Sequence, residues 1–383
     1  MVQCFLSDRI LSGTGTFSGA VRVEDGVIRG IFPGPFPADQ TLDLGSLILA
    51  PGLVEMHTHG GGGHSFLTGE VSDVIGGCLY HLRHGVTSIL PTLSAAPFGE
   101  MRTAAETIDR AGKSGLFPGR ILGVHMEGPY LSPSQCGAQC PLFITPPRKE
   151  EYESLVAALP GAVRRWTYAP ENDPEGEFCR FLRDHGILPS AGHTDAILKD
   201  IETAFRNGMH LITHLYSCTS TVTRDHGFRR LGVIESAYLM DEIFCEIIAD
   251  GRHLPPELIR MILKIKGEDR VALVSDSLAL AGTDETEGTM AGTDFIIEDG
   301  VCKLKDRSAF AGSIASGLEL IRVMRDDCGI PLPRAVRMMT EVPAGLLGLS
   351  AGRMAEGFEA DLIAFTDDLK LERVFVGGCE AAF

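Results

Sequence analysis

The chain has 383 residues, 44% hydrophobic and 22% charged, which is the composition of an ordinary globular protein and too much length for one small core. Its formal charge of −17 argues against a general nucleic-acid binder, which needs clustered positive charge, and obliges any anionic substrate to find a local basic patch. Ten cysteines without a C-x-x-C pair, the nearest being Cys136 and Cys140, read as reduced thiols of a cytoplasmic protein, and neither a leader nor a bilayer-spanning stretch is expected.

Residues 1 to about 50 read as short strands. Ala20–Val23 and Val27–Ile31 flank Asp25-Gly26, a strong hairpin signal. From Leu53 onward, short apolar runs ending in a polar residue alternate with helical patterns. The runs predict strands over Leu53–His59, Thr87–Leu93, Ile121–Glu127, Val163–Pro170, Ile187–His193, Met209–His214, Phe244–Asp250 and Val271–Asp276. Between them, helices are expected at Asp73–His84, Glu100–Ala111, Glu151–Leu159, Glu175–His185, Lys199–Asn207 and Pro256–Lys266. Late helices over Ala315–Asp327 and Pro333–Leu347 lead to strands Asp361–Phe365 and Glu372–Val376. Eight strands alternating with helices specify an α/β protein with a closed parallel barrel, expected over residues 53–347. The β-rich ends, 1–52 and 348–383, are expected to form one small sheet domain, because chain ends often lie close together.

The chemistry is written at the strand ends. In Met56-His57-Thr58-His59-Gly60, strand alternation points His57 and His59 the same way, and the glycines from Gly60 to Gly63 let the chain turn and leave that end open. Glu127, His193, His214, Asp250 and Asp276 close later strands, so a parallel barrel brings them to the same rim. Gathering imidazoles and carboxylates there is costly unless a metal coordinates them. Nitrogen and oxygen donors without thiolate suit zinc, or iron, manganese or cobalt, in an open hydrolytic site. Asp276 stands where a carboxylate would exchange a proton with a metal-bound water. Asp250 reads equally well as a site residue and as the holder of the loop that presents His253. The other histidines, including His81 and His125, read as packing or surface residues.

These blocks, with Ala311-Gly312-Ser313 and the stretch from Pro343 to Leu362, resemble the amidohydrolase superfamily and specifically the N-acetylglucosamine-6-phosphate deacetylase family. The resemblance implies a (β/α)8 TIM-like metal-dependent barrel carrying a small β-sandwich, a cytoplasmic setting and a homodimer. It also implies that Glu127, His193 and His214 hold the principal metal, that His57 and His59 support a second, and that Asp276 is the shuttle in removal of acetyl from a phosphosugar. Sugar contacts would fall to Ala138, Gln139, Ser217, Cys218, His253, Ala311, Gly312 and Ser313, and an arginine, Arg224, would reach the phosphate in a neighbouring subunit. Arg229 and Arg230 add charge there, and all three also fit a solvated surface face.

Two departures from the family pattern bear on the substrate. Gln139 stands where the family has histidine, a neutral amide in place of a chargeable group, and Ser217-Cys218 replaces Asn-Ala beside the phosphate. Alternatives to deacetylation are hydrolysis of another N-acyl or cyclic amide, and a barrel that has lost catalysis and serves as a scaffold. Cyclic-amide relatives commonly use a carboxylated lysine, and no lysine ends a predicted barrel strand. A decayed site should shed its costly buried charges first, yet the full donor set is present.

Overall fold

A computed structural model describes residues 1–13 and 15–382. Eight parallel strands run in the order Leu53–Thr58, Val86–Leu93, Val124–Glu127, Val163–Tyr168, Leu188–Ala191, Leu211–Ile212, Phe244–Ile247 and Val271–Leu273, and a ninth short piece, Arg120–Ile121, pairs with Val86–Leu93 just ahead of Val124–Glu127. The ring closes on itself beyond the last strand, where the Asp276 N–H donates to the His57 carbonyl (3.0 Å) and the His59 N–H to the Ser277 carbonyl (2.9 Å). A further lock lies at the same seam. The buried Glu55 carboxylate accepts the N–H groups of His57 (3.0 Å) and Ser275 (3.1 Å), tying the first strand to the residues after the eighth.

The strands are shorter than their apolar runs predict, and the reason is functional. His193, His214 and Asp276 have φ values of 48°, 27° and 47°. A left-handed residue cannot continue a ladder, so each strand stops before its polar terminus and the backbone turns there. Only His57 and Glu127 of the site lie within strands.

The helix expected over Pro333–Leu347 is two helices, Leu332–Met338 and Glu341–Leu346. Pro343 has no N–H to give the Met339 carbonyl four residues earlier, which frees that carbonyl to accept from Val54 of the first barrel strand (2.9 Å). The second of these helices packs Val342 and Ala344 against Val54, Met56, Leu90, Leu211 and Val274. The proline thus breaks a helix and docks its remainder against the barrel strands.

Two β-elements were not anticipated. A hairpin, Thr223–Asp225 with Phe228–Arg230, follows the sixth strand. A four-stranded antiparallel sheet, Glu287–Met290, Thr293–Glu298, Val301–Leu304 and Phe310–Gly312, follows the eighth. The signal for the second was present, since Glu298-Asp299-Gly300-Val301 repeats the Glu24-Asp25-Gly26-Val27 turn and both Asp-Gly pairs take positive φ.

Strands from the two ends of the chain share one eight-stranded sheet, in which Leu362–Phe365 pairs antiparallel with Ile48–Pro51 and Val2–Ser12 lies beyond it. The sheet curls far enough for Phe5 of one end to pack edge-on against Phe375 of the other, ring centres 5.0 Å apart.

Candidate metal-dependent active site

Six side chains from five barrel strands and the segments beyond them meet at the mouth. Glu127 is central: its Oε1 lies 3.3 Å from His57 Nε2, 3.3 Å from His193 Nε2 and 3.1 Å from His214 Nε2, and its Oε2 lies 3.1 Å from His59 Nε2. Asp276 Oδ1 sits 3.5 Å from His57 Nε2 and 3.3 Å from His59 Nε2. Donor atoms of His57, His59 and Asp276, and again of His57, Glu127 and His214, lie close enough to share an ion.

The orientation of the rings shows what the cluster is built to hold. The Nδ1 atoms of His193 and His214 face the carbonyls of Gln135 (3.0 Å) and Ser217 (3.1 Å). A carbonyl only accepts, so each Nδ1 carries the proton and each Nε2 presents a lone pair. With both rings neutral those two lone pairs face each other at 3.2 Å, an arrangement that a shared proton or a cation between them relieves. His57 Nε2 is buried with no hydrogen-bond partner. The donor set therefore fits divalent cations.

Charge in the site agrees. Burial opposes a positive His57, yet the carboxylates of Glu127 and Asp276 pull its pKa up to about 10. Burial pushes the Glu127 and Asp276 carboxyls up, and the surrounding imidazoles hold both below their ordinary range. The anionic pocket calls for positive charge, which a proton or a metal can supply.

A cavity of about 230 Å³ opens over this cluster. Ala138, Gln139, Ser217, Cys218, His253, Ala311 and Gly312 line it, as the sequence suggested, together with Tyr216, Met290 and Phe310. The Gln139 amide is already spent. It donates to Glu127 Oε2 (2.7 Å) and accepts the Ala95 N–H (2.7 Å), so it steadies the central carboxylate. Ser313 is a correction: it is buried behind the cavity, its hydroxyl donating to the Ser275 carbonyl and its N–H to the Asp276 carbonyl (2.9 Å), which leaves it no atom for a sugar. Asp250 resolves to the loop role, accepting the N–H groups of Arg252 and His253 (both 2.8 Å) and His253 Nδ1 (2.7 Å). Arg224 lies on the exposed hairpin, away from its own chain's cavity, and no lysine or arginine is among the described residues lining that cavity.

Sequence reasoning missed the partners beneath these imidazoles. Ser94 Oγ lies 3.0 Å from His59 Nδ1, and Glu246 Oε2 lies 3.3 Å from His57 Nδ1. Arg165 engages Glu246 through both terminal guanidinium nitrogens, and burial of that carboxyl is outweighed by Arg165 and His57, which set its pKa at about 2. His125 was read as packing and is buried between Thr92 Oγ1 (3.0 Å) and Thr167 Oγ1 (2.7 Å), its ring edge-on to His57.

Residues 48–380 match the profile of the Amidohydrolase family. The chain is 30% identical over 331 residues to the N-acetylglucosamine-6-phosphate deacetylase of Bacillus subtilis, covering 85% of this chain and 82% of that protein. It is 27% identical over 387 residues to the N-acetylgalactosamine-6-phosphate deacetylase of Escherichia coli O157:H7, end to end on both chains (100% each). A crystallised variant of the N-acetyl-D-glucosamine-6-phosphate deacetylase of Mycobacterium smegmatis, in complex with N-acetyl-D-glucosamine-6-phosphate, superposes with a TM-score of 0.91 at 28% identity over 99% of each chain. The chain belongs to the amidohydrolase family and, within it, to the N-acetylglucosamine-6-phosphate deacetylase family.

Proposed function

We propose that the protein is a metal-dependent amide hydrolase that removes the acetyl group from N-acetylglucosamine 6-phosphate or a close N-acyl amino sugar phosphate, releasing acetate and the amino sugar phosphate. The observation that carries this reading is the convergence of Glu127 with four imidazole Nε2 atoms, with Asp276 beside two of them, under an open cavity. Glu127, His193 and His214 would hold the principal cation, and His57 and His59, with Glu127 shared and Asp276 adjacent, a second. Zinc is the best fit to this nitrogen and oxygen set, with iron, manganese or cobalt as substitutes. When bound, the cation lowers the pKa of a water and polarises the amide carbonyl.

This chain's residues do the rest. Asp276 takes the water proton and returns it to the departing amine, which needs a carboxylate that starts ionised, and the imidazoles keep it so. Gln139 holds Glu127 in place. His253, fixed through Nδ1 on Asp250, presents its other ring nitrogen to the sugar alongside Ala311, Gly312, Ala138, Ser217 and Cys218.

The phosphate must find its cation elsewhere, because the cavity lining has none. The exposed hairpin with Arg224, Arg229 and Arg230 supports a homodimer in which one subunit lends an arginine to its partner's site. Ten free cysteines support a cytoplasmic setting, and no helix among the described residues is long and apolar enough to cross a membrane. The test is amine release from a panel of N-acetylhexosamines with and without the 6-phosphate. The expected result is turnover of the phosphorylated sugars after cation loading and little on plain sugars. Equal turnover of both would remove the arginine clamp, and no turnover of either would remove the deacetylase reading.

A further inference from the structure

The barrel strand Val163–Tyr168 buries an arginine, Arg165, with none of its surface exposed. All three of its nitrogens are engaged. Nε donates to Ser190 Oγ (3.1 Å), Nη1 to the Met56 carbonyl (3.2 Å) and to Glu246 Oε1, and Nη2 to Thr213 Oγ1 (2.9 Å) and Glu246 Oε2 (2.9 Å). The chain positions it touches are telling. Met56 and Thr213 immediately precede His57 and His214, and Ser190 stands on the strand that leads to His193. One guanidinium thus ties together three strands that deliver imidazoles to the mouth.

Glu246 completes the link. Its Oε2 lies 3.3 Å from His57 Nδ1 and accepts the His214 backbone N–H (3.3 Å). A carboxylate clamped by a guanidinium offers only acceptors, so the ring nitrogen facing it must carry the proton. In the neutral ring that a cation would meet, His57 Nε2 is the lone pair, and it is the atom left without a hydrogen-bond partner between Glu127 and Asp276. Stability alone does not account for the pair, since buried ion pairs are often replaced by apolar residues at no cost.

We propose that Arg165 and Glu246 are positioning residues for the cation at His57: together they fix the tautomer and aim of that imidazole and decide whether its position fills. The inference rests on the two-cation reading above. Neither side chain lines the cavity, and neither offers a donor to the cluster of Glu127, His193 and His214.

Equilibrium dialysis against Zn²⁺ alone tests it, with the wild type, Glu246→Gln and the paired replacement Arg165→Met with Glu246→Leu. The wild type is expected to bind two ions per chain. Both variants are expected to keep one tight ion and to hold the other about 10- to 100-fold more weakly. Loading with Co²⁺ supplies a second readout, since a reoriented imidazole shifts the visible absorption band while the circular dichroism of the fold stays unchanged. If the paired replacement does not fold, Glu246→Gln, which preserves shape, decides by itself. A folded variant that binds both ions with wild-type affinity and spectrum overturns the inference. A wild type that takes up fewer than two ions removes the two-cation reading and the inference with it, a failure visible before any variant is compared.

Discussion

Asp276 shows how much one residue's setting matters. Its backbone has left the strand with φ of 47°, which turns the carboxylate back between His57 and His59. Asparagine keeps the shape and the turn but cannot take a proton. Asp276→Asn should therefore lower kcat by roughly 10²- to 10⁴-fold with KM little changed, read in the amine-release assay. His81 makes a different case. Its Nε2 lies 3.0 Å from both the Gly60 carbonyl and Thr58 Oγ1, which straddle His59, and burial lowers its pKa to about 4. The folded pKa lies below the ordinary 6.5, so the stability His81 contributes is present above pH 6.5 and is lost as pH falls through 4. For this one group that is on the order of 3 kcal/mol. The ring resonances of His81 should accordingly show no titration between pH 7 and pH 5, and a midpoint inside that range would refute the neutral, buried assignment. Sequence reasoning found the six residues that meet at the mouth because each ends an apolar run. It passed over Arg165 and Glu246, and took His81 only as a packing or surface residue, because they sit within ordinary strand and helix patterns, where only a neighbour distant in the chain reveals a partner.

Among the elements, the hairpin Thr223–Asp225 with Phe228–Arg230 is exposed along almost all of its length. Phe228 is 79% exposed and the arginines face solvent. An apolar tip beside three cations fits a protein surface that also carries an anion. On the homodimer proposed above, replacing residues 222–231 with a short Gly-Ser turn should leave a monomer in light scattering and raise KM for the phosphorylated sugar at least ~10-fold, the loss expected for a charge-assisted phosphate contact. A dimer that survives the change with KM intact would place the phosphate contact elsewhere. The helix break at Pro343 carries a complementary lesson. A proline at the first turn of a predicted helix reads as permission to start, while Pro343 further along reads correctly as a break only once the freed Met339 carbonyl has a taker in Val54.

At the scale of the whole molecule, the mouth of the barrel crowds buried carboxylates and imidazoles together, and a cation would offset the cost of holding them there. Cation binding should therefore stabilise the native state by mass action, about 2.7 kcal/mol at a free concentration 100-fold above Kd. Thermal melts with Zn²⁺ should run above those of chelator-treated protein and converge when excess chelator is added. Coincident melts would mean that the cluster does not bind the ion. The terminal sheet belongs to the same scale, because Ile48–Pro51 pairs with Leu362–Phe365 and is followed after one residue by the first barrel strand.

The sequence by itself determined the barrel, the shared terminal sheet and the identity of the six residues at the mouth, because hydrophobic period and turn chemistry are local properties that a linear reading captures. Which atoms those residues present was decided only by the tertiary structure. Tautomers, left-handed turns, the spent amide of Gln139 and the clamp beneath His57 all depend on groups far away in the chain, whose meeting is set by how eight strands close into a ring.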